Sequence, residues 1–83
     1  MDHEAEMLNA ARAVQRHAHA PYSGFKVGAA LLDEHGRVHV GCNVENAAYP
    51  QSQCAEASAI GALIASGARE VRAVVVVGEG DEP

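Results

Sequence analysis

The sequence predicts one α/β sandwich domain, and three observations carry that prediction. Apolar residues recur at helical spacing over residues 2–18, a strand–turn–strand pattern covers residues 26–40, and an alanine-rich helical stretch at 54–66 runs into a valine-rich segment at 71–77. At 83 residues there is room for a single domain, residues 1–83. A chain of this size buries only roughly 60–65% of the surface its unfolded form exposes, so metal, disulfides or association is expected to contribute to its stability.

In the first segment Met7, Ala11, Val14 and Ala18 share one helical face, and Asp2 is placed to cap the first turn. Acids lie early and Arg16 and His17 late, as the helix dipole favours, and Pro21 stops the helix. Lys26 to Leu32 then reads as a strand, Asp33–Glu34–His35–Gly36 as a turn, and Arg37–Val38–His39–Val40 as an alternating second strand. His17, His19, His35 and His39 fall at a helix end, in a turn or on the polar side of the alternation, and are expected to be solvated.

Residues 54–66 are strong helix formers, closed by Gly67 at the expected C′ position. That helix is apolar nearly all round, which predicts burial. Val71–Val77 is β-branched almost throughout, the pattern of a strand covered on both faces. The last three elements therefore predict a βαβ unit with a right-handed crossover. Covering the valine strand on both faces takes more helix than two helices supply, so the tail Gly78–Pro83 reads as a loop toward a further element.

Composition narrows the function. With 48% apolar and 20% charged residues and no apolar run near ~18–20 residues, no membrane span is expected. Met1–Asp2–His3–Glu4 is acidic where a secretory signal is basic, which points to the cytoplasm. The net charge is −5, and Lys26 and the five arginines are scattered, so nucleic acid is not an expected partner and a small molecule is. In a reducing compartment Cys42 and Cys54 are expected as free thiols or a metal ligand.

The three aromatics lie in or beside Pro21–Tyr22–Ser23–Gly24–Phe25 and Asn43–Val44–Glu45–Asn46–Ala47–Ala48–Tyr49; taken alone, Phe25 and Tyr49 read as loop anchors. Cys54–Ala55–Glu56 is the sharper signal. A cysteine on the first turn of a helix faces unpaired N–H groups and the positive dipole end, which favours a thiolate. A glutamate two residues on, in a helix expected to be buried, is costly without a task.

In order and spacing, Tyr22–Val27, Gly41–Cys42–Asn43–Val44–Glu45–Asn46–Ala47 and Cys54–Ala55–Glu56 together resemble the zinc-dependent cytidine deaminases of the short-chain, homotetrameric type. The resemblance runs from about the first helix to Val77. It implies a three-layer α/β/α sandwich with a mixed sheet, incomplete at the C-terminus, and hydrolytic deamination of cytidine or deoxycytidine in pyrimidine salvage.

By position it implies that Cys54 is a zinc ligand, that Glu56 is the catalytic acid–base group, and that Asn43 and Glu45 hold the ribose hydroxyls. Phe25 then packs on the pyrimidine ring, Ala55 offers its N–H to the base, and Tyr49 lines the pocket, including that of a neighbouring subunit. Cys42 is read as core. The resemblance implies one Zn²⁺ per subunit and pockets shared within a homotetramer.

Two features depart from that family. Ala57 stands where an arginine often follows the catalytic glutamate, and the Pro-Cys-x-x-Cys segment that supplies the remaining ligands does not occur before Pro83. Residues 1–83 alone are therefore expected to be inactive, because catalytic zinc needs three protein ligands. Two alternatives stay open: a deaminase of a related aminonucleoside of antibiotic type, and a non-catalytic remnant that serves as an assembly or binding module.

Overall fold

A computed structural model describes residues 3–21, 24–45 and 54–78. The element order is α1 (Glu4–Gln15), β1 (Val27–Asp33), β2 (Val38–Cys42), α2 (Ala55–Ala65) and β3 (Val71–Gly78). The helix predicted over 2–18 is shorter: it starts after His3 and closes at Arg16, and Ala18 is buried beyond it in the following turn. The capping role expected of Asp2 lies outside the described residues.

The sheet order is β2-β1-β3, with both pairs antiparallel. β2 and β3 therefore run in the same direction on either side of β1. The βαβ unit β2–α2–β3 is present, but its strands are not neighbours, because its crossover spans β1. Asp33, whose pairing with Val71 shifts the register by one residue, ends β1 and opens the turn to β2.

The helices cover opposite faces. Met7 and Ala11 of α1 pack with Ala30, flanked by Leu32, Val38, Ala73, Val75 and Val77. On the other face Ala55, Ala59 and Leu63 of α2 pack with Ala29, Leu31 and Ala68. Burying Met7, Leu31 and Leu63 contributes roughly 1.5–3 kcal/mol each. The remaining core is largely alanine, so the layers lie close. Cβ atoms added at Gly28 and Gly41 would come 2.2 Å from the Ala11 carbonyl oxygen in α1 and 2.3 Å from the Ala59 nitrogen in α2.

Two burial expectations fail for one reason. α2 buries a single face, with Ile60 and Ile64 exposed, and β3 is covered on one face only, with Val74 and Val76 exposed. Because Val74 and Val76 pair with Leu31 and Ala29, they share the sheet face on which α2 lies, but α2 sits over β1 and β2 and leaves them open. The end of α2 follows the sequence: Ser66 is the C-cap and Gly67 adopts a φ of +103°. No described helix is long and apolar enough to cross a membrane.

Candidate active site

The candidate residues gather at one end of the sheet. Phe25 precedes β1, Asn43 and Glu45 follow β2, and Gly78 closes β3. Gly41, near the end of β2, lets the start of α2 settle on the same end, since its missing Cβ would also crowd the Ala55 carbonyl oxygen at 2.7 Å. The carboxyl ends of co-directional strands, with a helix N-terminus beside them, are where α/β sheets place their ligands.

Backbone pairing builds this end. His19 donates to the Asn43 carbonyl at 3.0 Å, the Glu45 N–H donates to the His19 carbonyl at 2.8 Å, and His19 bridges Val44 in parallel. Asn43 adds its side chain: Oδ1 accepts the Val27 N–H at 2.9 Å and Nδ2 donates to the Phe25 carbonyl at 2.8 Å. Its own N–H donates to the Val27 carbonyl at 3.2 Å. Asn43 and Glu45 are half-buried and Phe25 is 43% exposed.

Cys54 is the N-cap of α2, extended at φ −73° and ψ 152°, exposed, and without a side-chain capping bond. Its sulfur thus stands beside the positive end of the helix, outside the first turn where the sequence pattern put it. Ala55 is buried and Glu56 lies in the first turn. Glu56 is exposed, which corrects the expectation of a buried carboxylate: α2 turns that side away from the sheet. Ala57 is exposed as well, and Cys42, half-buried at the end of β2, fits its assignment as a strand residue. Tyr49 lies outside the described residues.

A cysteine sulfur at a helix N-terminus, as at Cys54, is a donor type that suits zinc. Among the described residues no three His, Cys, Asp or Glu side chains converge on one point that could hold a metal ion. Two surface depressions of about 350 and 400 Å³ flank α1 and include none of the candidate residues.

A second polar cluster lies at the β1–β2 turn. Asp33 is 2% exposed, and its Oδ1 accepts the N–H groups of His35 at 2.7 Å and Arg37 at 3.0 Å. His39 Nε2 lies 2.7 Å from Oδ2, so the ring is part-buried and paired, against the expectation of a solvated histidine. Burial acts to raise the Asp33 carboxyl, but the bonds from His39, Arg37 and His35 outweigh it and hold it at about 2. Next to it, the Glu34 carboxylate accepts the N–H groups of Arg69 and Glu70, both at 3.0 Å, and ties the turn to the segment before β3.

Residues 1–79 match the family model of the cytidine and deoxycytidylate deaminase zinc-binding region. The chain belongs to this deaminase family. A curated cytidine deaminase of Sporosarcina psychrophila is 40% identical over 78 residues, which cover 94% of this chain and 57% of that protein. Among solved structures, a cytidine deaminase from Burkholderia pseudomallei superposes with a TM-score of 0.87 at 49% identity, over 100% of this chain and 66% of that one. One from Mycobacterium tuberculosis gives 0.88 at 37%, over 94% of this chain and 63% of that one. The chain thus spans 57–66% of the length of these relatives. The likeness bears out the incomplete α/β/α sandwich, and the zinc-binding region includes Cys54.

In the sequence Gly41 reads only as part of a motif, and the pattern singles out neither its packing role nor Gly78. An isolated glycine within a strand, as at Gly41, is the available signal of close backbone approach.

Proposed function

We propose that this chain forms the N-terminal part of a zinc-dependent enzyme that hydrolyses cytidine or deoxycytidine to the uracil nucleoside and ammonia. The observation that carries this reading is the placement of Cys54 and Glu56 at the start of α2, on the same sheet end as Asn43, Glu45 and Phe25, in a chain of the deaminase family.

Cys54 would be one ligand of a Zn²⁺ ion, one per subunit, with the remaining ligands coming from outside the described residues. Bound zinc makes hydroxide available near neutral pH, and in zinc deaminases a glutamate that is not a ligand serves as the acid–base group. Glu56 takes one proton of the attacking water and delivers it to N3 of the ring as the new C4–O bond forms, then carries the remaining C4-hydroxyl proton to the amino group as the C4–N bond breaks and the C4 carbonyl forms. Its exposure in the first turn gives substrate access to it.

Glu45 and Asn43 orient the ribose. The Asn43 amide spends one N–H and one lone pair on the backbone, which leaves one of each for a hydroxyl. Phe25 packs on the ring, the Ala55 N–H faces the base, and Tyr49 lines the pocket of its own or a neighbouring subunit. The open apolar surface of Ile60, Ile64, Val74 and Val76 agrees with further cover, including that of a homotetramer. A cytoplasmic place in pyrimidine salvage fits free nucleosides as substrates.

Ammonia release from cytidine by the purified full-length protein, with competition between cytidine and a fluorescent single strand, tests this reading. Turnover with strand binding absent or displaced is the expected result. Tight strand binding untouched by cytidine would overturn it in favour of a nucleic-acid substrate.

A further inference from the structure

We propose that Asn43 is a positioning residue for Phe25, so that it governs recognition of the base as well as of the sugar; this rests on the nucleoside reading above. Two contacts among the described residues bear on where the Phe25 side chain lies. From the backbone side, the Asn43 amide grips both ends of the Phe25–Val27 segment, donating to the Phe25 carbonyl at 2.8 Å and accepting from the Val27 N–H at 2.9 Å. From the ring side, the end of β3 offers no side chain: a Cβ on Gly78 would stand 3.1 Å from Phe25 Cζ and 3.4 Å from Cε2.

The consequence is mechanical. Phe25 is 43% exposed and lies ahead of β1, so the β1 ladder alone does not fix its ring. The amide fixes the peptide that carries the ring, and the bare backbone of Gly78 is the floor on which the ring rests. A half-buried amide with two backbone partners aligned within 3 Å costs little further entropy when ligand binds, so the ring is presented in advance. Asn43 follows β2 and Gly78 closes β3, so Phe25 registers the relative position of two strands that flank β1.

A pure sugar contact and a positioning residue differ in what happens to a ligand that has no sugar. In the full-length protein, binding of free cytosine and of cytidine is compared for wild type, Asn43→Ala, Asn43→Asp and Gly78→Ala. Glu45→Ala serves as the sugar-contact reference. Amide exchange at Val27 is followed in the ligand-free state, and circular dichroism checks the fold. Loss of one such hydrogen bond corresponds to roughly 2–10-fold, and Asn43→Ala is expected to weaken cytosine by that factor while Val27 loses protection.

Asn43→Asp keeps the acceptor for Val27 but cannot donate to the Phe25 carbonyl. It is expected to retain Val27 protection and still lose cytosine affinity, a split that general destabilisation does not produce. Gly78→Ala is expected to weaken both ligands alike with Val27 protection intact. Cytosine affinity unchanged in Asn43→Ala and Asn43→Asp, or Val27 exchange unaffected by Asn43→Ala, would overturn the proposal. Wild-type protein that binds neither ligand would instead reject the nucleoside reading, and this proposal with it.

Discussion

Gly41 and Ala59 are in direct backbone apposition: the Cβ that Gly41 lacks would lie 2.3 Å from the Ala59 nitrogen. The partner is helix backbone, which cannot rotate aside as a side chain can. Gly41→Ala must push α2 off β2 at the turn that follows Cys54 and Glu56. Overpacking of this kind costs roughly 1–3 kcal/mol, so urea denaturation of the variant should show a clearly lower midpoint. A midpoint equal to wild type would mean that the layers can separate freely here.

Glu56→Gln keeps the shape of the side chain and removes its ability to carry a proton. In the full-length protein it should reduce cytidine turnover by at least ~10²–10⁴-fold, with zinc content unchanged by metal analysis. Near-normal turnover would take Glu56 out of the chemistry.

Glu45→Ala removes a charged acceptor for hydroxyls that only the nucleoside has. Cytidine binding should weaken by roughly 1.5–3 kcal/mol while cytosine binding barely changes. Equal losses for both ligands would remove Glu45 from the ribose contacts.

Asp33 ties acid sensitivity to the β1–β2 turn. Its carboxyl lies at about 2 in the folded chain against an ordinary 3.8, and the bonds to Glu34 also lower that carboxyl. A lowered folded value means that the stabilisation is fully present above about pH 4 and is lost as pH falls toward 2. Stability measured from pH 5 to 2 should therefore drop with a slope that Asp33→Asn diminishes. An identical acid slope in that variant would count against the Asp33–His39 pair as its source.

A polypeptide of residues 1–83 alone should hold no stoichiometric zinc and release no ammonia from cytidine, because one thiolate does not satisfy a tetrahedral site. Metal analysis together with an ammonia assay measures both. One zinc per chain with turnover would direct attention to Cys42 and His39.

Much of the fold was legible because local rules agreed with tertiary ones. The alternation around His39, the acidic turn at Asp33–Gly36 and Gly67 after a run of helix formers each located an element to within a few residues. What misled was apolar content read as burial. Val74, Val76, Ile60 and Ile64 are apolar yet open, because composition does not say which helix lies over which strand. The pairing of β3 with β1 joins segments that lie far apart in sequence, and no local signal encodes it. Likewise, His39 read as solvated because its partner Asp33 stands across a turn. The candidate residues were legible as motifs, but the bond from the Asn43 amide to the Phe25 carbonyl joins segments 18 residues apart and has no local signal.

The strand order also bears on how the chain comes together during synthesis. β1 and β2 can zip as soon as the turn between them emerges, but the other edge of β1 waits for β3, with Val27 finally meeting Gly78. At ~5–20 residues per second, that edge stays unpaired for seconds at the ribosome, presenting an alanine- and leucine-rich ladder to any passing strand. Closing so long a loop costs only slowly growing entropy, so the hazard is one of timing. Faster synthesis through α2 would shorten the exposure, and a pause before β3 would lengthen it.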